Sequence, residues 1–261
     1  MDLLKVFDAY SLRARLFPAI IAAAPALAAL TLLISWKSFE LSNAIAMLAV
    51  FVLLFAIADI ARARGRAVER DLYAKHAGTP SIIMFRRSDS TIENGLKERY
   101  RAFLAARLGV TAPTAEEELA SQNTADAFYE QCGVWLRQNT RDTKKFPLLF
   151  AENITYGFRR NLLGVKWLAL ALNLLVVCIC VGLLWRVSWA IGSEQGKRTI
   201  VVLLVAASHA VYMLSAVRRC VVWEAAQAYG RELILSCEAF LSTPTASAKK
   251  SVTRTKAVPN D

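Results

Sequence analysis

The chain has 261 residues, 32 Lys and Arg against 21 Asp and Glu for a formal charge of +11, and a 56% hydrophobic composition. Four long apolar stretches hold no Asp, Glu, Lys or Arg, and each is close to the length that crosses a bilayer as a helix, which excludes an ordinary small soluble domain. The charge does not by itself imply a nucleic-acid partner: residues 71–158 carry eleven basic and eleven acidic side chains, so the excess lies at the expected membrane junctions and in the tail.

In chain order, residues 1–15 form a basic segment with Lys5, Arg13 and Arg15. Residues 16–60 read as a first transmembrane hairpin, with apolar runs at 16–36 and 41–58 joined by a turn carrying Lys37 and Glu40. Of the two prolines in the first run, Pro18 lies near its start, so Pro25 is the one expected to bend it. Residues 61–160 read as a mostly helical cytoplasmic domain. The second span is expected to continue through Lys75 and break at Gly78, Thr79 and Pro80. The run 81–85 is apolar and of undecided type. Ser90 with Glu93 has the spacing of a capping box, opening a helix with Ile92, Leu96, Tyr100 and Leu104 on one face and Gly109 at its end. Thr114 with Glu117 repeats that signal, Asn123 or Thr124 starts the next helix, and Pro147 marks the following break.

Residues 161–217 give a second hairpin, with spans at 167–185 and 199–217. Residues 218–242 read as a cytoplasmic helix, and 243–261 as a disordered basic tail. The Lys and Arg residues beside the spans set the orientation: Arg62, Arg64, Arg66 and Arg70, then Arg159, Arg160 and Lys166, then Arg218 and Arg219 all fall on one side. By the positive-inside rule, both termini and the middle domain are expected in the cytoplasm, with Trp36, Trp167 and Trp185 as interfacial anchors. The fold class expected is an all-α integral membrane protein: two transmembrane helical hairpins flanking a mostly helical cytoplasmic domain.

Charge inside the middle domain is polarised. Arg86, Arg87, Lys97, Arg99, Arg101 and Arg107 precede the acidic block of Glu116, Glu117, Glu118, Asp126 and Glu130, and Arg137, Arg141, Lys144 and Lys145 follow it. Such blocks either pair with one another, within or between subunits, or build an anion site. On the second reading Arg86, Arg87, Lys97, Arg101, Arg141, Lys144 and Lys145 are the candidate phosphate contacts, with Tyr100 or Trp135 as stacking partners for a base. Within the spans, Asn173, Ser208, His209 and Tyr212 are polar groups that either tie helices together or line a pore.

Catalytic patterns are missing from the sequence. There are two histidines and no HExxH, nucleophile elbow, Walker or dinucleotide-binding glycine motif, so no enzyme and no cofactor is expected. The five cysteines lack metal-ligand spacing and read as packing residues in a reducing compartment, with no metal.

The layout of two hairpins around a helical insert, with Arg62-Ala63-Arg64-Gly65-Arg66, Gly78-Thr79-Pro80, Lys97-Glu98-Arg99-Tyr100 and Tyr156-Gly157-Phe158-Arg159-Arg160-Asn161, resembles bacterial four-span membrane effectors of anti-phage defence. Among these the membrane channel of the Hailong system is most similar in arrangement. The resemblance implies an inner-membrane homo-oligomer that forms an ion channel. It also implies control by a nucleotide or short oligonucleotide made by a partner nucleotidyltransferase. Four spans per subunit cannot enclose a wide path, so conduction would require several subunits around an axis. The alternative expectation is a non-conducting membrane anchor or sensor that recruits a cytoplasmic partner.

Overall fold

The computed structural model describes residues 10–33 and 41–242, and over these the fold is entirely helical. The helices are α1 (Ser11–Leu33), α2 (Leu41–Lys75), α3 (Pro80–Phe85), α4 (Asn94–Leu108), α5 (Ala115–Ala120), α6 (Gln122–Asn139), α7 (Pro147–Arg186), α8 (Glu194–Ser215), α9 (Arg219–Leu235) and α10 (Cys237–Leu241). Among the described residues α1, α7 and α8 are long and apolar enough to cross a membrane. Helix α2 presents Ile45, Leu48, Phe51, Val52 and Phe55 on its outside, each more than half exposed. The expected turn at 34–40, the segment 1–9 and the tail 243–261 lie outside the described residues.

Residue pairings fix the helix directions. Ala14 meets Gly157 and Asn161, and Ala19, Ala22 and Ala23 share a cluster with Leu162, Val165 and Ala169, so α1 and α7 run parallel. Gly65 meets Gly164 while Tyr73 meets Tyr156, so α2 runs antiparallel to α7. Asn173 meets Ala206, and Val176 and Cys180 pack with Val202, so α8 is antiparallel to α7 as well. Small residues stand at the closest of these contacts, because only they let two helix backbones approach so nearly. At the tightest crossing a Cβ on Gly164 would lie 2.6 Å from the backbone nitrogen of Gly65.

Both prolines of α1 leave a mark. Pro18 has no N–H for the carbonyl of Ala14, four residues earlier, and the turn before it, Ser11–Leu16, is wound as a π-helix. Asn161 Nδ2 on α7 donates to that same Ala14 carbonyl at 2.7 Å. Pro18 therefore reshapes the helix despite its position near the start, which position alone did not suggest. Pro25 deprives the Ile21 carbonyl of its donor in the same way, and the ring of His209 on α8 faces that carbonyl, short of a formed hydrogen bond.

Between the two apolar pairs, α3 to α6 form the polar insert, and its core also takes in α9 and α10. Phe85, Tyr100, Leu104, Phe128, Tyr129, Cys132 and Leu136 pack with Leu233, Ile234 and Cys237. The local starts differ in part from expectation. Helix α4 begins at Asn94, not near Ser90, because the Glu93 side chain itself accepts from the N–H groups of Gly95 and Leu96. Gly109 ends it at φ 69°, a left-handed conformation that favours glycine. The Thr114–Glu117 capping box is present with both its bonds, though α5 ends after six residues. The undecided run at 81–85 is helical, opened by Pro80 at its first turn. The single helix expected after residue 218 is two, α9 and α10, meeting at Ser236.

Candidate functional site

The first basic group is gathered as the sequence suggested, and its charge is met from inside the chain. Arg86 donates to both carboxylate oxygens of Asp126, at 3.0 and 2.7 Å, and to the Ala77 carbonyl at 2.6 Å. Arg87 is held by Glu98 at 2.8 Å, by Glu118 at 2.6 Å and by the Pro113 carbonyl at 2.9 Å. Lys97 is fully buried, and its ammonium donates to the carbonyls of Arg86 and Asp89 at 2.7 and 2.5 Å. Burial, followed by the adjacent Arg101 charge, lowers the Lys97 pKa. Arg101, 1% exposed, donates to the Phe85 carbonyl and lies over the Tyr129 ring, with Nη1 2.8 Å from Glu98 Oε1.

Glu118 is the hub of this cluster. It accepts from Tyr129 Oη at 2.6 Å and from the Arg87 backbone at 2.8 Å, besides the Arg87 guanidinium. Burial would raise its pKa, but the hydrogen bond from Tyr129 and those from Arg87 outweigh burial and hold the carboxyl below the usual range. Of the acidic block, Glu118 and Asp126 are thus the partners of Arg87 and Arg86. Tyr100 is also spoken for: it is 1% exposed and donates to Glu238 on α10 at 3.1 Å, which burial and the Glu238 charge accompany with a pKa pushed up to about 12. Trp135 packs edge-on to Phe103 and Phe240 in the insert core.

The second basic group stands differently. Lys144 and Lys145 are exposed, with Lys145 Nζ 5.1 Å from the Phe240 ring centre. Arg141 lines an open groove of about 330 Å³ together with Arg137, Thr140, Thr143, Asn153, Tyr10 and Tyr229. Neither Arg137 nor Arg141 forms an ion pair among the described residues. The groove's far wall comes from Tyr10 and Tyr229, distant in sequence, and Tyr10 had no local signal to mark it. Arg137 was visible in sequence as a basic residue near Arg141; it sits in the last turn of α6, and Arg141 follows just beyond the helix end.

Below the groove α2 and α7 are locked by a polar chain. Tyr73 Oη is 3.0 Å from Tyr156 Oη, Tyr156 donates to Glu69 Oε2 at 2.8 Å, and Arg160 donates to the same oxygen. Burial pushes the Tyr73 phenol up to about 12 and raises Tyr156 further, so both stay protonated as donors at neutral pH. Tyr156 also stacks on Tyr229, joining this chain to the groove wall. Of the intramembrane candidates, Asn173 and His209 are buried between helices, with Asn173 Nδ2 donating to the Ala206 carbonyl at 3.0 Å, whereas Ser208 and Tyr212 face outward.

Together these features define a class: a protein helical throughout its described residues, with three helices long and apolar enough to cross a membrane and a polar insert tied to the apolar helices by two long helices running through both. No protein-family model, curated protein or solved structure matches the chain.

Proposed function

We propose that the protein is an oligomeric membrane effector that forms an ion channel, gated at its cytoplasmic insert by an anionic nucleotide or short oligonucleotide. In this proposal α2 is the fourth span, both termini and the insert lie in the cytoplasm of a bacterial cell, and the ligand comes from a partner nucleotidyltransferase. The observation that carries it is the continuity of α7. One 40-residue helix begins beside the groove of Arg137 and Arg141, passes through the Glu69–Tyr156–Arg160 lock, and ends in the apolar bundle beyond Asn173. A ligand that favours one position of the groove wall would thereby bias the helix bundle, as gating by differential affinity requires. The ligand contacts assigned are Arg137 and Arg141 with the hydroxyls of Thr140 and Thr143, a set suited to a phosphate. Arg86, Arg87, Lys97 and Arg101 serve to hold the insert together. The pore forms between subunits, and Ser208 and Tyr212 are its lining candidates on the outer face of α8.

Recording from purified full-length protein in planar bilayers tests this. The expected result is unitary conductance that changes on adding short oligonucleotides and loses that response in the Arg137→Gln/Arg141→Gln variant. Silence under every condition, including no ligand, overturns it. The burial of Asn173 and His209 within the subunit's own helix contacts favours a second reading, a non-conducting anchor; a stable complex with a soluble protein, and no current, would select it.

A further inference from the structure

A groove of about 270 Å³ lies between α1 and α2, walled by Leu16, Phe55 and Ala58 and carrying Arg15, Asp59 and Arg62 at its polar end. On both helices this is where charge-free sequence gives way to charge, after Arg15 on α1 and before Asp59 on α2. Asp59 and Arg62 are three residues apart on one helix face, and neither forms an ion pair within 4 Å among the described residues. Arg15 has its guanidinium carbon 5.6 Å from the Tyr10 ring centre and likewise no carboxylate partner. Two guanidinium groups and one carboxylate, all unpaired, thus crown an apolar slot at the membrane boundary.

We infer that this groove is a binding site for a zwitterionic aminophospholipid, phosphatidylethanolamine in type. Its phosphate meets Arg15 and Arg62, its ammonium meets Asp59, and an acyl chain runs down the Leu16–Phe55 wall. The charge pattern favours this occupant over a purely anionic lipid, whose phosphate would serve the arginines and leave Asp59 facing like charge. A second copy of the chain would have to bring its own phosphate-like anion and cation to the same spot. The inference requires α1 and α2 to sit in the bilayer side by side and is independent of whether the protein conducts.

Native mass spectrometry of the full chain, delipidated in mild detergent and offered phosphatidylethanolamine and phosphatidylglycerol in equal amounts, reads the site directly. The expected result is a preference for phosphatidylethanolamine of about two- to five-fold, the size of one exposed charge contact. Asp59→Asn brings that ratio to about one while Asp59→Glu keeps it, and Arg15→Gln/Arg62→Gln reduces retention of both lipids. Glycerophosphoethanolamine, which lacks acyl chains, competes poorly. No preference in the natural sequence, a preference untouched by Asp59→Asn, effective competition by the soluble headgroup, or a lipid-free dimer closed over the groove would each overturn the site. Size-exclusion profiles of the variants separate these results from misfolding.

Discussion

The insert core and the crossings of the long helices are both nearly free of solvent, yet they are built from opposite materials. The insert packs Phe85, Tyr100, Phe128, Tyr129 and Leu136 beside a cluster of half-buried ion pairs. The long helices meet through Ala14, Ala19, Ala22, Gly65, Gly157 and Gly164, with the Asn161 and Asn173 amides and the Glu69–Tyr156–Arg160 chain as polar contacts. In water each large side chain contributes by leaving solvent, so size is favoured. Where the long helices cross, close backbone approach selects small side chains instead, both within the apolar runs, at Ala19 and Ala22, and in the charged stretches beside them, at Gly65, Gly157 and Gly164. One chain thus uses large side chains where elements fill a core and small ones where long helices cross.

Substitutions that exchange the two materials should expose the difference. The largest loss is expected for Phe85→Ala, which empties a fully buried position in the insert and should cost about 3–5 kcal/mol in thermal or denaturant unfolding in detergent. Next, at about 2 kcal/mol, is Glu118→Gln, which takes one of two counter-charges from the half-buried Arg87 guanidinium, Glu98 being the other. Because the folded pKa of Glu118 is depressed, its contribution is complete above the ordinary glutamate value near 4.3 and disappears as pH falls through the lower folded value. Stability measured between about pH 5 and pH 2 should therefore fall less steeply in Glu118→Gln than in the natural protein, and equal slopes would break the assignment. At the crossing of the long helices, Gly164→Val adds bulk where size is expected to harm. Its side chain runs into the Gly65 backbone, with an expected cost of about 2 kcal/mol. The smallest effect is expected for Asn173→Leu, about 0.6 kcal/mol, since hydrogen bonds between membrane helices are weak on average and the Asn173 Oδ1 is already without a partner. A loss as large as that of Glu118→Gln would erase the distinction between the two regions.

Much of the helical layout is legible in the sequence because its signals are local. The break at Gly78–Pro80, the Thr114–Glu117 box and the start at Pro147 each depend on residues within one turn of the event. Apolar length alone reveals α1, α7 and α8. What sequence does not reveal is pairing across distance. Arg86 and Arg87 can be read either as paired or as an anion site until Asp126 and Glu118 are seen to meet them, 40 and 31 residues away. The groove around Arg141 needs Tyr10 and Tyr229, which only the tertiary fold delivers. The cap of α4 was misplaced for a subtler reason: Glu93 suits both the third position of a box opened at Ser90 and the cap itself, and its side chain takes the second role.

The bond from Asn161 to the Ala14 carbonyl also sets a condition on how the chain is made. Pro18 denies that carbonyl its usual helical donor, and the Asn161 amide that donates to it lies 147 residues later. The start of α1 is therefore in place in the growing chain long before this contact can form, and the arrival of α7 is what supplies it.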